Sequence, residues 1–399
     1  LMKLLQNLFD SIKPHVEKGA KYEKLHTLYE GHRTIFFKPS LTTGPTGVQV
    51  KDAADLKRVM FTVIVALIPC LLFGMWNVGH QHFLAIGVVD ATFISKFLLG
   101  AGQVLPILIV SYGVGLGVEF TFCVIRNHPI EEGFLVTGIL IPLVMPATIP
   151  LWQVAMATVF GVIIAKEVFG GTGMNILNVA LTSRAFLYFA YPSQIAGDMV
   201  WTYLGDQVAV DGFSGATLLS YGAAAAANGT EMMAGLGGHW YGGMFDFWNL
   251  FLGVIPGSIG ETSVLMCLIG ATILVLTGVG SWKIILSVFG GAWVMGMIYN
   301  LAGTNSFMLM PAHYHLVVGG LAFGAVFMAT DPVSAAQTET GKWIYGFMIG
   351  VLTVIIRISN PAYPEGIMLA ILFMNVFAPL IDYYVVEAHK KRRLKRATI

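Results

Sequence analysis

Acidic side chains interrupt several apolar stretches of this 399-residue sequence. Glu119 lies within GVGLGVEFTFCVIR, Asp331 follows an apolar run at ATDPVS, and Asp382 lies within APLIDYY. A carboxylate in a hydrophobic segment is costly and is typical of ion pathways and proton relays. These acids are therefore candidates for binding a desolvated cation. A charge at the membrane interface is the alternative for each of them, and a helix N-cap competes directly at Asp331.

A glycine-rich turn at residues 168–180, VFGGTGMNILNVA, is the second place with suitable chemistry. We expect it to open a helix that carries Asn175 and Asn178 on one face, because the two residues are three apart. Backbone amides at a helix start bind anions or polar ring edges. An asparagine amide both donates and accepts hydrogen bonds, as an isoalloxazine edge requires. Asparagine also caps helices, so a purely structural role stays open.

The histidines and cysteines give weaker signals. His313 and His315 have ligand chemistry for a metal or haem, but their position in PAHYHL is more typical of an aromatic belt at the membrane interface. Cys70, Cys123 and Cys267 all lie in apolar runs, and the sequence has no CxxC motif. The chain alone therefore cannot supply the four thiolates of an iron–sulfur cluster. We expect the cysteines to be small lipid-facing or core residues, the alternative being that one of them shares a site with a partner subunit.

The elements that position these residues follow from composition. Hydrophobic residues make up 56% of the chain and charged residues 11%, whereas about 25% of a typical soluble protein is charged. Apolar runs long enough to cross a bilayer recur along the chain. We predict an all-α integral membrane protein with about ten transmembrane helices, several of them short or broken by Gly and Pro. The predicted spans lie near 58–78, 97–125, 133–146, 151–169, 174–191, 262–280, 282–300, 314–330, 343–358 and 366–386.

The distribution of charge predicts the orientation. Residues 1–58 hold ten of the 23 Lys and Arg residues, and the tail KKRRLKR holds six more. Basic flanks stay in the cytoplasm, so both termini are predicted to be cytoplasmic and the number of spans to be even. Lys96 and Arg357 fall on the opposite side and count against this topology. The segment after the fifth span, which contains no basic residue, is then extracytoplasmic.

Two broken segments with similar neighbours suggest an internal repeat. One ends in MPATIP and the other in ATDP, and each precedes a helix that begins near Trp152 or Trp343 and leads to a Gly/Pro/Asn turn. With five spans in each half, the halves would be inverted, an arrangement that marks binding or transport sites. The alternative is that Gly and Pro are simply common in membrane helices. The predicted regions are a basic cytoplasmic region 1–57, a first repeat 58–191, an extracytoplasmic segment 192–261, a second repeat 262–386 and a basic cytoplasmic tail 387–399.

Several longer motifs carry a family resemblance across nearly the whole chain. They are DLKRVM, EEGFLVTGIL, IPLWQ, AKEVFGGTG, RAFLYFAYP, DGFSGATLLS, GVIPGSIGETS, FMATDPVSA, GKWIYG and NPAYPEGIMLAILFMNVFAPLID. The chain resembles the family formed by the B subunits of bacterial sodium-translocating NADH:quinone oxidoreductases and the D subunits of related electron-transport complexes. Its long basic N-terminal region is typical of the B subunits.

The resemblance implies two flavins. In this family the threonine of an S-G-A-T motif carries FMN through an ester between the flavin phosphate and the threonine oxygen. The matching residues are Ser214, Gly215, Ala216 and Thr217. The family also binds riboflavin without a covalent bond. By matched position, Asn175 and Asn178 are the candidates for holding it, with Val179 where relatives often have proline.

The resemblance also implies a cation path and a quinone region. Glu119, Asp331 and Asp382 match acids that the family links to cation uptake and translocation. The aromatic pair Phe323 and Phe327 matches a hydrophobic constriction. In the region linked to quinone inhibitors the glycine pair is interrupted, because the chain has Gly115, Leu116 and Gly117. The amphipathic segment KLLQNLFDSIKPHV is a further candidate for the quinone site.

The implied function is that of a membrane redox subunit in a six-subunit respiratory complex of the bacterial inner membrane. Electrons from NADH, which other subunits oxidise, pass through FMN and riboflavin to ubiquinone, and this flow drives cation export. The Thr217 loop is expected on the periplasmic side. The partners are the other subunits, ubiquinone, lipid and Na⁺ or H⁺, which carboxylates do not distinguish; no nucleic acid is expected. The alternatives are the ferredoxin-linked relative and a carrier or channel without redox chemistry.

Overall fold

The computed structural model describes residues 2–16, 29, 33, 56–88, 90–126, 133–229, 243–360 and 362–397. Within these ranges the regular structure is helical and no strand occurs. The helices are α1 (Met2–Val16), α2 (Leu56–Ala85), α3 (Phe93–Arg126), α4 (Phe134–Leu143), α5 (Leu151–Ala165), α6 (Val179–Ala190), α7 (Leu218–Asn228), α8 (Phe247–Leu252), α9 (Val264–Leu276), α10 (Trp282–Ala302), α11 (Glu339–Ser359) and α12 (Ile367–Ala397).

Six of the described helices are long and apolar enough to cross a membrane: α2, α3, α5, α10, α11 and α12. The prediction of a multi-pass helical membrane protein is thus confirmed. Three other predicted spans are short helices, with 10 residues in α4, 12 in α6 and 13 in α9. A helix of 10 residues rises about 15 Å, half of a hydrocarbon core of about 30 Å. The prediction that several spans are short or broken is therefore confirmed for α4 and α6, whereas the continuous span predicted over 262–280 was wrong.

The predicted span 314–330 is not one helix. It consists of two short helical pieces, Tyr314–Val317 and Leu321–Phe323, followed by a π-helical turn at Gly324–Met328. Gly319 makes the break possible, because its φ of +67° lies in the left-handed region that favours glycine. Irregular backbone at this depth needs partners for its carbonyls. Arg357 supplies them by donating to His315 O at 2.7 Å and Val318 O at 2.8 Å.

The helices of the two halves pack in similar ways. In the first half α3 contacts α2, α4 and α5, and α5 contacts α6. In the second half α10 contacts α11 and the broken segment 314–328, and α11 contacts α12. The halves join where α2 meets α9 and where α6 meets α12. The ten-span inverted repeat itself stays a prediction.

Glycines allow the closest helix contacts in the second half. A Cβ on Gly350 of α11 would lie 2.1 Å from Val288 O of α10, and one on Gly291 of α10 would lie 2.2 Å from Phe347 O of α11. Small residues bring membrane helices together in this way and replace the hydrophobic driving force that lipid does not provide. The tight α10–α11 pair gives the second half a rigid frame for its broken segment.

Candidate functional site

Thr217 is the N-cap residue of α7. Its Oγ1 accepts a hydrogen bond from Ser220 N at 3.3 Å, and the helix runs for 11 residues to Asn228. Gly215 has a φ of +66°, and a Cβ there would lie 3.0 Å from Asp198 O, so the turn before the cap needs glycine. A hydroxyl at a helix N-terminus is well placed to carry a phosphate, because the free amides and the helix dipole favour negative charge there.

Neighbouring side chains hold the turn before α7 in place. The hydroxyls of Ser214 and Tyr221 are 2.7 Å apart, and Ser214 Oγ accepts from Ala216 N at 3.4 Å. Ser220 Oγ donates to Asp198 Oδ1 at 2.7 Å, so a carboxylate also lies near this helix start. The motif Ser214–Thr217 is therefore a fixed turn that is only partly buried.

Thr217 lines a cavity between the two halves, which we call the Thr217 cavity. Aromatic side chains and one ion-pair cluster form much of its wall. The residues that line it include Arg184, Tyr188, Trp201, Thr217, Glu261, Gly319, Gly320, Tyr363 and Glu365. A flavin fits this lining chemically, since its ring needs apolar and aromatic contacts and a few polar groups. A phosphate at Thr217 would meet the start of α7.

Arg184 is the centre of the ion-pair cluster. It forms salt bridges with Glu261, at 3.1 Å, and with Glu365, and it donates to Ser258 Oγ at 3.2 Å and to Val144 O. The last contact satisfies the carbonyl at which α4 ends. The side chains of Arg184 and Glu261 are each only 3% exposed. Sequence reasoning missed this cluster and singled out none of its three members, although Arg184 is a charged residue inside the predicted span 174–191.

A second cavity, the Asn175 cavity, brings together several residues predicted from sequence. Its lining includes Lys166, Asn175, Asn178, Phe327, Thr330 and Asp331. The residues come from the first-half turn and from the second-half break, so both broken elements contribute. The candidates for riboflavin and two candidates for the cation path, Phe327 and Asp331, therefore share one site.

The two asparagines do not lie on a helix face as predicted. Helix α6 begins only at Val179, and Asn178 is its N-cap, with Oδ1 accepting from Leu181 N at 3.2 Å. Asn175 precedes the helix and donates through Nδ2 to Leu177 O at 3.1 Å. The prediction was wrong because asparagine side chains compete with helical backbone and favour caps and turns. Asn175 Oδ1 and Asn178 Nδ2 remain as polar groups beside the cavity, which suits a flavin ring edge.

The three candidate cation acids lie apart and use their oxygens differently. Glu119 forms a buried ion pair with Lys166, and the two side chains are 3% and 4% exposed. Asp331 accepts from Val333 N at 3.1 Å and from Ser334 Oγ at 2.8 Å, which caps a turn rather than a helix. Only Asp331 lines the Asn175 cavity. The structure thus brings one of the three acids to a cavity.

Asp382 caps helix α11 from a distant part of the chain. Its carboxylate accepts from Gln337 N at 2.6 Å, from Thr338 N at 3.0 Å and from the Thr338 hydroxyl at 2.5 Å. Thr338 is itself the N-cap residue of α11. These contacts define a structural role for Asp382. Its assignment to a cation path stays a prediction.

The predicted constriction is a pair of buried rings. Phe323 and Phe327 are 0% and 4% exposed, and their ring centroids are 5.0 Å apart. Phe327 also lines the Asn175 cavity. A Cβ on Gly270 of α9 would lie 2.4 Å from Phe327 Cζ, so the ring is held tightly against α9.

The two glycines of the predicted quinone region have different surroundings. A Cβ on Gly115 would lie 1.8 Å from Phe134 Cζ, whereas none of the described atoms lies within 4 Å of a Cβ on Gly117. Gly115 therefore allows α4 to pack on α3, and Gly117 is exposed on the outer face of α3.

The remaining histidine and cysteine predictions have mixed outcomes. His313 is exposed, but His315 is fully buried, so the prediction of an interfacial belt residue was wrong for His315. Arg357 holds this segment inward through His315 O. All three cysteines are buried, as predicted for core residues, with the sulfurs of Cys70 and Cys267 3.9 Å apart. Among the described residues no group of three or more His, Cys, Asp or Glu side chains is arranged to hold a metal ion.

Six long apolar helices define a multi-pass membrane protein, and two cavities lie between its halves. Residues 45–391 match the model of the NQR2, RnfD and RnfE family, and the chain belongs to this family. It is 49% identical to the B subunit of the Na(+)-translocating NADH-quinone reductase of Chromohalobacter salexigens, over 98% of this chain and 96% of that protein. It is 47% and 46% identical to the B subunits of the same reductase from Ectopseudomonas mendocina and Stutzerimonas stutzeri, over 98% of this chain and 99% of each relative.

Proposed function

We propose that the chain is the flavin-carrying membrane subunit of a sodium-translocating NADH:quinone reductase. Its similarity to the B subunits of such reductases extends over nearly the full length, which supports this role over the ferredoxin-linked alternative. Within the chain, the proposal rests on the placement of Thr217 at the start of α7 and in the wall of the Thr217 cavity. The other subunits of the six-subunit complex oxidise NADH, and ubiquinone is the final acceptor.

The Thr217 hydroxyl carries FMN through a phosphoester. The bond joins Thr217 Oγ1 to the phosphorus of an activated flavin nucleotide, while the hydroxyl proton and the activating group leave. The amides at the start of α7 stabilise the phosphate charge. Trp201 and Tyr363 line the same cavity and would offer aromatic contacts to the ring. When bound, a flavin accepts electrons and passes them on.

The Asn175 cavity holds riboflavin without a covalent bond. Asn175 and Asn178 offer an acceptor and a donor to the polar edge of the ring. Riboflavin has no phosphate, and the Asn175 cavity correspondingly offers amides, while its one base, Lys166, is paired with Glu119. The two cavities then form an electron path through the membrane domain.

The proposed topology follows from charge. Two inverted five-helix repeats place both termini in the cytoplasm and the Thr217 loop in the periplasm of a cell with an inner membrane. The shared packing pattern of the halves supports the repeat. Electron flow through this domain drives the export of Na⁺ or H⁺, and the sodium dependence of quinone reduction by the whole complex distinguishes the two ions.

Thr217→Val in the complete complex tests the flavin attachment. We expect the denatured wild-type subunit to fluoresce like a flavin on a gel, and Thr217→Val to lose all of this signal because no hydroxyl remains. Thr217→Ser keeps a hydroxyl, and Ser220→Ala removes a neighbouring one, so both should retain the signal. Fluorescence that persists in Thr217→Val would refute the attachment. A wild-type subunit without bound flavin would favour a non-redox carrier or channel.

A further inference from the structure

Glu261 has one carboxylate oxygen that accepts no hydrogen bond. Its Oε2 accepts from Arg184 at 3.1 Å. Its Oε1 is buried and is the one carboxylate oxygen in the described part of the chain that is buried without a hydrogen-bond partner. The residue as a whole is 3% exposed. Leaving a buried acceptor unsatisfied costs about 1–3 kcal/mol, and more when the group is charged, so this oxygen calls for an explanation.

The space beside this carboxylate is kept clear of side chains. A Cβ on Gly320 would lie 3.0 Å from Glu261 Oε1 and 3.1 Å from Oε2. Gly319, Gly320 and Glu261 all lie in the wall of the Thr217 cavity. A side chain at position 320 would therefore collide with the carboxylate, and a small ion can approach Glu261 only from the cavity that it lines.

The charges around Glu261 balance before any flavin is attached. Arg184 forms ion pairs with Glu261 and Glu365, and Arg357 donates to Glu365 O at 3.0 Å and to two other carbonyls. The positive charges of the two arginines and the negative charges of the two glutamates sum to zero. The remaining ionisable groups that interact with Glu261 are neutral in their ordinary forms, and they are Tyr363 and Cys267.

A phosphodiester on Thr217 adds one negative charge to the wall of this cavity. Each electron that enters the cavity adds another. Because Glu261 is buried, a charge added nearby is weakly screened there and raises the affinity of this carboxylate for a cation. Glu261 Oε1 is the acceptor that is free to respond.

We propose that Glu261 takes up an exchangeable monovalent cation, a proton or Na⁺, in the wall of the Thr217 cavity. This inference rests on the proposed attachment of a flavin to Thr217. It differs from the predicted path through Glu119, Asp331 and Asp382, because in the described part of the chain only Glu261 has a carboxylate oxygen that is buried without a hydrogen-bond partner. The negative charge of an electron that enters the Thr217 cavity is balanced by a cation bound at Glu261. Electron transfer and cation binding are thereby coupled.

Glu261→Gln in the complete complex tests the proposal. Quinone reduction is measured against Na⁺ at fixed pH and against pH at fixed Na⁺. If Glu261 binds Na⁺, the concentration for half-maximal rate rises by about tenfold or more, since a ligand charge is lost. If it binds a proton, the pH profile shifts and the Na⁺ profile does not. Unchanged profiles in both experiments overturn the proposal. Glu387→Gln, which removes a partly exposed acid on α12 that pairs with Lys390, is the matched control.

Infrared spectroscopy gives a readout that does not depend on turnover. The spectra of the wild type with and without Na⁺, and at two pH values, should differ by a carboxyl band that moves in Glu261→Asp and is absent in Glu261→Gln. Glu261→Asp keeps the negative charge, so it still tests cation binding at this position if the complex with Glu261→Gln does not assemble. A band that is the same in the wild type and Glu261→Asp contradicts the site. In-gel flavin fluorescence of each variant shows separately whether the attachment to Thr217 is intact.

Discussion

The Thr217 cavity and the Asn175 cavity satisfy their charged groups in opposite ways. In the Thr217 cavity one arginine serves two acids, and an oxygen of Glu261 is left without a partner. In the Asn175 cavity Asp331 is hydrogen-bonded at both oxygens and Lys166 is paired with Glu119. In the Thr217 cavity the free oxygen of Glu261 can respond to added charge. In the Asn175 cavity the charged groups already have partners, and the other polar groups are neutral amides. The difference matches a phosphate-bearing flavin in one and a neutral flavin in the other.

Removing Arg184 should have the largest effect, because the Thr217 cavity depends on this one base. Arg184→Gln leaves the buried carboxylate of Glu261 and the partly buried carboxylate of Glu365 without their ion-pair partner, and the end of α4 without its donor. Breaking a buried ion pair costs about 3–5 kcal/mol. We expect a loss of this size in the unfolding free energy of the detergent-purified subunit, measured by denaturant titration.

The double variant Arg184→Gln with Glu365→Gln is the control for Arg184. It removes one of the stranded charges, so it should recover part of the lost stability. A single variant that is destabilised by less than about 1 kcal/mol would mean that the cluster is well hydrated and that the contrast between the cavities is false.

Gly115→Ala tests the wall behind the Asn175 cavity. The new methyl group would meet Phe134, which packs with Val179 of that wall. Overpacking of this kind costs about 1–3 kcal/mol. Gly117→Ala is the matched control, because a Cβ there meets open space and Ala favours helix by about 1 kcal/mol. Thermal unfolding and the amount of extractable riboflavin measure the two effects, and equal behaviour of the two variants would contradict the packing argument.

Asn178 separates capping from flavin binding in the Asn175 cavity. Asn178→Ala loses the cap of α6, which costs about 1 kcal/mol, together with the amide donor. Asn178→Ser keeps a capping oxygen and loses only the donor. We expect both variants to lose non-covalent flavin, measured by extraction and fluorescence, while only Asn178→Ala loses stability. Full riboflavin content in both would remove Asn178 from the proposed site.

Asp382→Ala should have the smallest effect of this series. It removes three hydrogen bonds at the start of α11, where Thr338 still caps the helix. Losing a helix cap costs about 0.5–2 kcal/mol, and the remaining cap keeps the effect near the lower value. Thermal unfolding measures it. An unchanged stability combined with a weaker Na⁺ dependence of turnover would favour the cation path over the structural role.

Much of the helical framework could be predicted from composition and charge. Long apolar runs identified α2, α3, α5, α10, α11 and α12, because the length needed to cross a bilayer is a local property. The shorter helices were harder to predict. Pro142 lies inside α4, and Gly319 and Gly320 interrupt the later segment, but sequence alone does not say whether a break is tolerated. Tolerance depends on Arg184 and Arg357 donating to the exposed carbonyls.

The candidate site was predictable where its residues lie in a short sequence motif. Thr217 and Asn178 were singled out from sequence, and both prove to be N-cap residues, in keeping with the local preference of hydroxyls and amides for helix starts. The helical face expected for Asn175 and Asn178 failed for the same reason, since a capping residue precedes its helix. Whether a flavin occupies either cavity stays a prediction.

By itself the sequence determined the membrane class and most helix positions, because these depend on composition and near neighbours. The role predicted for Thr217 came from the family resemblance and stays a prediction. Only the tertiary structure decided which charges meet. Arg184 and Glu261 are 77 residues apart, and Arg184 and Glu365 are 181 apart. No local pattern links them, because their pairing arises from the packing of two halves around one cavity. The unpaired oxygen of Glu261 exists only in that arrangement.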